Sequence, residues 1–288
     1  MDTREYKGKV VETFHRAAPS YDRGGVEFFS PMGRRLVELA APRATERVLD
    51  VGCGRGACLF PAAEVVGSSG KAVGIDIAPG MVEHVRREAL ERGLGQVEVR
   101  LMDAERPEFE EASFDVVTGS FSIIFLPEAA SVLPRYARLL IPGGRLAFTS
   151  PIFTEDTFPF LPPMFTEIIT DDFLSEIPDE WRPRAVARRV SGWLQDESDI
   201  VGTLRGAGFR EVRILDEVVP MDVSSGRDWV AWSHTQGMRL LWQWLSPDPT
   251  RRLEERIVAA LEAERDAEGR IRIETPVRYV LAEREGRR

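Results

Sequence analysis

A short apolar run, Arg47-Val48-Leu49-Asp50-Val51, leads directly into Gly52-Cys53-Gly54-Arg55-Gly56 and then into a helical pattern over 57–66. Three glycines at alternate positions between a strand and a helix strongly restrict the fold. Glycine permits positive φ and carries no Cβ, so the turn can bend sharply and a ligand can approach its backbone. Pro61 falls early enough in the helix to be tolerated. The strand–helix alternation then continues. Segments 72–76, 97–101, 114–118 and 145–149 read as strands, and 79–92 and 128–140 as helices. Pro142-Gly143-Gly144 leads into the strand at 145–149. Strands alternating with helices of this length predict an α/β fold with a doubly wound, mostly parallel sheet and right-handed crossovers. Further strands at 211–215 and 277–281 would bring the sheet to seven.

The glycine spacing separates cofactor classes. A dinucleotide fingerprint has its third glycine three residues after the second. Here it comes one residue early, at Gly56, and an acid, Asp50, stands just ahead of the turn. S-adenosylmethionine has no pyrophosphate to cradle, and its cationic amino and sulfonium groups favour a nearby carboxylate. From residue 10 to residue 150 the chain resembles the class I S-adenosylmethionine-dependent methyltransferases. The carriers of that resemblance are Asp50-Val51-Gly52-Cys53-Gly54-Arg55-Gly56, Gly74-Ile75-Asp76-Ile77, Leu101-Met102-Asp103-Ala104, Phe114-Asp115-Val116-Val117 and Leu140-Ile141-Pro142-Gly143-Gly144. The resemblance implies a Rossmann-like core. It implies that Asp50, Gly52, Cys53, Gly54 and Gly56 adjoin the methionyl part of the cofactor. Asp76 and Ile77 would adjoin the ribose, Met81, Asp103 and Ala104 the adenine, and Ser120 and Phe121 the methyl group. Asp115, at a strand start, reads as a turn organiser. Ala17-Ala18-Pro19-Ser20-Tyr21-Asp22 resembles a segment of quinone-biosynthesis C-methyltransferases and natural-product methyltransferases. That likeness would lay Tyr21 over the methionyl end, where an aromatic face suits a sulfonium; the other reading is a tyrosine that packs two helices.

Composition bounds the rest. The chain has 288 residues, 43% of them apolar, enough for a sizeable core. Its net charge is −9, which gives no general attraction to phosphate backbones, so no nucleic-acid partner is expected. No apolar run is long enough to span a bilayer, and residues 1–16 carry no apolar signal core; the expectation is a cytoplasmic protein without a membrane partner. Cys53 and Cys58 are the only cysteines, which suits a reducing compartment and falls short of a zinc ligand set. The acidic pairs Glu155-Asp156 and Asp171-Asp172 read as solvated turns, and no metal is expected.

The domain reading is an N-terminal helical cover over 1–45, a cofactor-binding core over 46–150, a helical lid insertion over 151–195, and completion of the core over 196–288. Six prolines between 151 and 190 exclude one regular element there. A tryptophan-rich helix is expected over 228–245 and a charged one over 249–266. Aromatic residues after Ser150 suggest a small, largely apolar or aromatic acceptor, with Phe125, Phe153, Phe158 and Trp232 as candidate contacts. Methyl transfer displaces a neutral thioether, so no acid is required, and a base is needed only for a protonated, poorly acidic nucleophile. His234 is the first candidate base and His15 the second; each could equally be a packing or surface histidine. Three matters stay open: methylation at carbon, nitrogen or oxygen; a homo-oligomeric state; and a rearranging or cyclising enzyme or a non-catalytic module that holds the cofactor only as structure.

Overall fold

The computed structural model describes residues 2–22, 26–152, 163–165 and 167–286. Two compact units divide the chain. One comprises 29–152, 190–217 and 277–288; the other comprises 1–28, 153–189 and 218–276.

The first unit holds the sheet. In chain order it contains α2 (Phe29–Ala40), β1 (Arg47–Val51), α3 (Leu59–Val66), β2 (Lys71–Asp76), α4 (Pro79–Glu91), β3 (Val97–Leu101), β4 (Phe114–Ser120), α5 (Ala129–Leu139), β5 (Leu140–Pro151) and α8 (Glu197–Gly206). The last two strands, β6 (Phe209–Val223) and β7 (Ile271–Arg284), cross the boundary between units within their length. The strand order is β3-β2-β1-β4-β5-β7-β6. β1 to β5 pair in parallel, and β7 runs antiparallel to β5. The seven-stranded, mostly parallel Rossmann-like sheet expected from the alternation is thus present. The order reverses between β1 and β4. In an open α/β sheet that reversal leaves a crevice at the carboxyl ends of the two strands. α2 packs on β4 and β5, and α3 on β1 and β2. Leu59, Phe60, Ala63, Val82, Val85 and Ala89 of α3 and α4 bury their apolar stripe with Ala72 and Val99 of the sheet.

Three strands are much longer than the expected 145–149, 211–215 and 277–281: β5, which takes in Pro142-Gly143-Gly144, and β6 and β7. β6 takes in an alternating, charge-rich stretch that reads weakly as a strand because half its residues face water. It also contains Pro220, which has no N–H to give a ladder. β6 is the last strand of the sheet, where that missing donor is tolerated.

The second unit contains α1 (Thr3–Ala17), α6 (Asp171–Leu174), α7 (Pro183–Ser191), α9 (Gly226–Ser233), α10 (Arg239–Trp242) and α11 (Pro247–Ala263), the last residues of α7 passing into the first unit. Its interior is aromatic. Phe165 stacks on Trp229 at 4.4 Å, Tyr6 on Trp181 at 6.0 Å, and Trp181 leans on Trp244 at 5.6 Å. The single helix expected over 228–245 is broken into α9 and α10. Side chains compete for the backbone at the break. The Ser233 hydroxyl donates to the Val230 carbonyl, the Thr235 hydroxyl donates to the Trp232 carbonyl, and the Gln236 carboxamide oxygen accepts from the Met238 N–H. No helix among the described residues is long and apolar enough to cross a membrane.

Close packing makes one glycine structural and leaves another expendable. A Cβ at Gly33 of α2 would lie 2.5 Å from the Ala57 carbonyl oxygen, whereas a Cβ at Gly8 of α1 would meet nothing within 4 Å. Thermal melts of Gly33→Ala should show a loss of about 1–3 kcal/mol from forced separation of α2 and the glycine-turn segment. Gly8→Ala should gain about 0.5–1 kcal/mol from helix propensity. Equal melting temperatures would contradict this packing.

Candidate functional site

The turn after β1 is held open by its own geometry. Gly52, Gly54 and Gly56 have φ of 64°, 51° and 86°, a left-handed region that side chains disfavour. Gly52 and Gly56 are also confined. A Cβ at Gly52 would lie 2.5 Å from Ser122 Cβ, and one at Gly56 would lie 2.5 Å from the Phe60 ring. A Cβ at Gly54 would meet nothing within 4 Å. Gly54 therefore presents bare backbone to open space, a cradle that a side chain would partly fill.

Asp76, at the end of β2, joins three segments. Its Oδ2 accepts from the Gly54 N–H at 2.9 Å, its Oδ1 from the Ala78 N–H at 2.8 Å, and its backbone carbonyl from the Met102 N–H at 3.0 Å. The glycine turn, the start of α4 and the end of β3 thus converge on one residue. The Cys53 N–H, donating to the Ile75 carbonyl at 2.9 Å, adds a second tie between turn and β2. Asp76 is buried, and burial pushes its carboxyl above the usual carboxylate range, with the N–H donors of Ala78, Gly54 and Ile77 opposing that rise. A carboxylate has about four acceptor positions, so these three bonds leave capacity for a ligand hydroxyl.

Asp50 lies beneath the turn. It is 2% exposed, and its Oδ1 accepts from the Thr118 hydroxyl at 2.9 Å. The parallel register of β1 and β4 sets these two residues opposite each other. Burial raises the Asp50 carboxyl to about 7; the Thr118 bond opposes the rise and the charge of Asp76 adds to it. Cys53 and Cys58 are free, buried thiols, pushed well above their usual range by burial, and so held as unreactive apolar groups.

On the other side of β2, Asp103 follows β3 and is half-buried. Its Oδ1 accepts from the Glu105 N–H at 2.9 Å. The Tyr136 hydroxyl donates to the Ala104 carbonyl at 2.9 Å, and Glu105 Oε1 accepts from the Glu128 N–H at 2.7 Å. The segment after β3 is thereby anchored to α5. Met81 is buried in the first turn of α4, and Ile77 is half-buried between β2 and α4. Beyond β4, Ser120, Phe121 and Phe125 are half-buried, and Phe121 adopts φ of 49°. The structure thus gathers Asp50, the glycine turn, Asp76, Ile77, Met81, Asp103, Ala104, Ser120 and Phe121 at neighbouring strand ends of one unit.

The remaining candidates belong to the second unit. Tyr21 is half-buried with its ring 6.2 Å from Phe14, and His15 is exposed on α1. Trp232 is 4% exposed, meets Phe28 edge-on at 6.2 Å, and donates from Nε1 to Asp22 Oδ1 at 3.3 Å, which is a packing environment. His234 stacks on Trp242 at 4.5 Å, with Nε2 2.8 Å from Glu254 Oε1. Phe153 and Phe158, like Glu155 and Asp156, lie outside the described residues. Among the described residues no group of three or more His, Cys, Asp or Glu is placed to hold a metal. Thr118, Glu105 and Tyr136 escape sequence reasoning. Only strand register and tertiary contact bring them to the site.

Residues 48–144 match the family model described as a methyltransferase domain. The aklanonic acid methyltransferase DauC of Streptomyces sp. (strain C5) is 55% identical over 213 residues, covering 74% of this chain and 97% of that protein. The nocamycin O-methyltransferase of Saccharothrix syringae is 42% identical over 268 residues, covering 93% of this chain and 95% of that one. Among solved structures, phosphoethanolamine N-methyltransferase 2 of Haemonchus contortus in complex with S-adenosyl-L-methionine shares the fold, with a TM-score of 0.55 at 16% identity, covering 88% of this chain and 52% of that one.

Two predictions follow from the site's electrostatics and shape. The folded-state value of Asp50 lies above the ordinary 3.8, so the folded chain holds a proton that the unfolded chain releases between about pH 4 and 7. Stability from this group is greatest in acid, falls as pH rises through that window, and is fully lost above it. Asp50→Asn should therefore raise the melting temperature at pH 8 and flatten its pH dependence. It should also weaken S-adenosylmethionine at least about tenfold, since a buried carboxylate opposite a cation is lost. A lower melting temperature at pH 8 would refute the first half. The Gly54→Ala variant should melt within about 1–2 kcal/mol of wild type, the cost of a left-handed alanine. Its calorimetric affinity for S-adenosylhomocysteine should fall much further, because the new methyl enters the cradle; undiminished affinity would place the ligand elsewhere.

The glycine-rich turn, its two buried carboxylates and the close relatives together give the family: the chain belongs to the S-adenosylmethionine-dependent methyltransferases.

Proposed function

We propose that the chain transfers a methyl group to an oxygen atom of a small, largely apolar natural product resembling aklanonic acid or nocamycin. The observation that carries the cofactor half of this reading is the open backbone at Gly54, bonded to Asp76 and underlain by Asp50. The names of the relatives support the acceptor half. In the division proposed here, residues 46–150 bind the cofactor, with Gly52, Cys53, Gly54 and Gly56 along its methionyl part, Asp76 and Ile77 at the ribose, Met81, Asp103 and Ala104 at the adenine, and Ser120 and Phe121 toward the reactive end. Segments 1–45, 151–195 and 196–288 keep their proposed roles as cover, lid and completion of the core, and acceptor choice resides in 151–288. Phe125 is the proposed acceptor contact that the sheet unit itself supplies.

The bound cofactor supplies an electrophilic methyl on sulfur and leaves as a neutral thioether. The protein's part is to hold the acceptor oxygen in line with that methyl, which can account for roughly 7–11 kcal/mol of the barrier. An acid acceptor arrives already ionised at neutral pH and needs no base. For a hydroxyl acceptor, His234 backed by Glu254 is the proposed base, ahead of the exposed His15.

The test is incubation with methyl-labelled S-adenosylmethionine and aklanonic acid. Label should appear in a product as an O-methyl group, and His234→Ala should keep the rate within about threefold if that oxygen is a carboxylate. An isomerised product without label would point to a rearranging enzyme. A fall of about a hundredfold or more in His234→Ala would assign a hydroxyl acceptor and a required base.

A further inference from the structure

The segment leaving β4 is seated from both sides. On one side, Thr149 of β5 is fully buried and lies opposite Ser120 in the parallel register. Its hydroxyl is 3.2 Å from the Ser120 hydroxyl and accepts from the Phe121 N–H at 3.0 Å. On the other side, the Ser122 hydroxyl donates to the Val51 carbonyl at 2.5 Å, and Ser122 Cβ occupies the space where Gly52 lacks its own. Between these two anchors Phe121 is held at φ of 49°, a strained conformation for a residue with a bulky side chain. Its ring meets Phe29 of α2 edge-on at 6.2 Å. A left-handed non-glycine residue costs on the order of 1–2 kcal/mol and persists only where its surroundings impose it. One of the groups that impose it here is the Thr149 hydroxyl on the neighbouring strand, which takes the Phe121 N–H itself.

We propose that Thr149 is a positioning residue for methyl transfer: its hydroxyl fixes the strained Phe121 turn, and that turn shapes the wall beside the cofactor's methyl end. Thr149 acts through Phe121 and Ser120 and touches no reactant itself. The inference rests on the reading, made under the proposed function, that Ser120 and Phe121 face the reactive end of the cofactor. Thr149 carries no motif. Its role follows from the register of β4 with β5 and from the backbone angle of a residue 28 positions earlier.

The experiment compares Thr149→Val, which keeps shape and removes the hydroxyl, with Thr149→Ser, which keeps the hydroxyl. Three quantities are read: amide hydrogen exchange at Phe121 without ligand, and calorimetric affinity for S-adenosylmethionine and for S-adenosylhomocysteine. Thr149→Val should speed exchange at Phe121 and weaken S-adenosylmethionine by about tenfold each, with a smaller loss for the demethylated product. Thr149→Ser should restore both to within about threefold. Phe121→Gly removes the strain, so adding Thr149→Val in that background should cost less than it does alone. Unchanged exchange at Phe121 in Thr149→Val would overturn the clamp. Faster exchange with equal losses for the two ligands, or with none, would overturn its connection to the methyl end. A wild-type chain that binds neither ligand would sink the underlying reading of the site and the proposal with it. If Thr149→Val proves unstable, Thr149→Ala and Thr149→Ser supply the same contrast.

Discussion

The carboxylate of Asp76 is the point on which the site's geometry turns. Parallel strands lie side by side through slanted ladders, but the ladders end where the strands end, and ligand-binding loops begin there. Asp76 extends the order past that limit. One side-chain oxygen holds the glycine turn, the other opens α4, and the backbone carbonyl receives the chain as it leaves β3. Three segments share one anchor. Because the anchor is an acceptor with unused lone pairs, a ligand hydroxyl can join it without displacing the protein's own bonds. The same residue thus shapes the crevice and remains available inside it.

Asp50 shows the cost of such a site. A carboxyl group at 2% exposure, met by the Thr118 hydroxyl and the Leu59 N–H but by no cation, is incompletely compensated, and it holds its proton to about pH 7. Nothing in the core's packing calls for an acid there. An apolar residue would fill the position between Leu49 and Val51 with less penalty. In the proposed function the group is a charge held for the cationic end of the cofactor, and the fold is less stable at high pH for carrying it.

The fold was legible because its signals are local. Glycine spacing and short apolar runs located β1 to β4 to within a few residues and the centre of β5, and the acids at Asp50, Asp76 and Asp103 stood out by their place at successive strand ends. What stayed hidden depends on distance in the chain. Thr118 matters because it faces Asp50 across a strand pair, and Tyr136 because α5 swings back to Ala104; neither sits in a pattern. The tryptophan-rich stretch misled for a different reason. Its two aromatic clusters, 229–232 and 238–245, flank the non-apolar run Ser233 to Gly237, and there Ser233, Thr235 and Gln236 spend their hydrogen bonds on nearby backbone and stop the helix. The length of β6 was obscured by the polar half of its alternation.

Pro220 carries a consequence that reaches beyond the single molecule. The outermost strand of any open sheet offers its backbone as a template on which a stray strand from another chain could grow. A residue with no amide hydrogen interrupts that template, because a carbonyl of the docking strand would find no donor there. In β6 the interruption falls at the twelfth of fifteen residues, in a charge-rich run, so continuous addition along the whole strand is broken before its end. At that one position the β6 edge has no amide hydrogen to offer, which shortens the stretch on which another strand could pair without a gap.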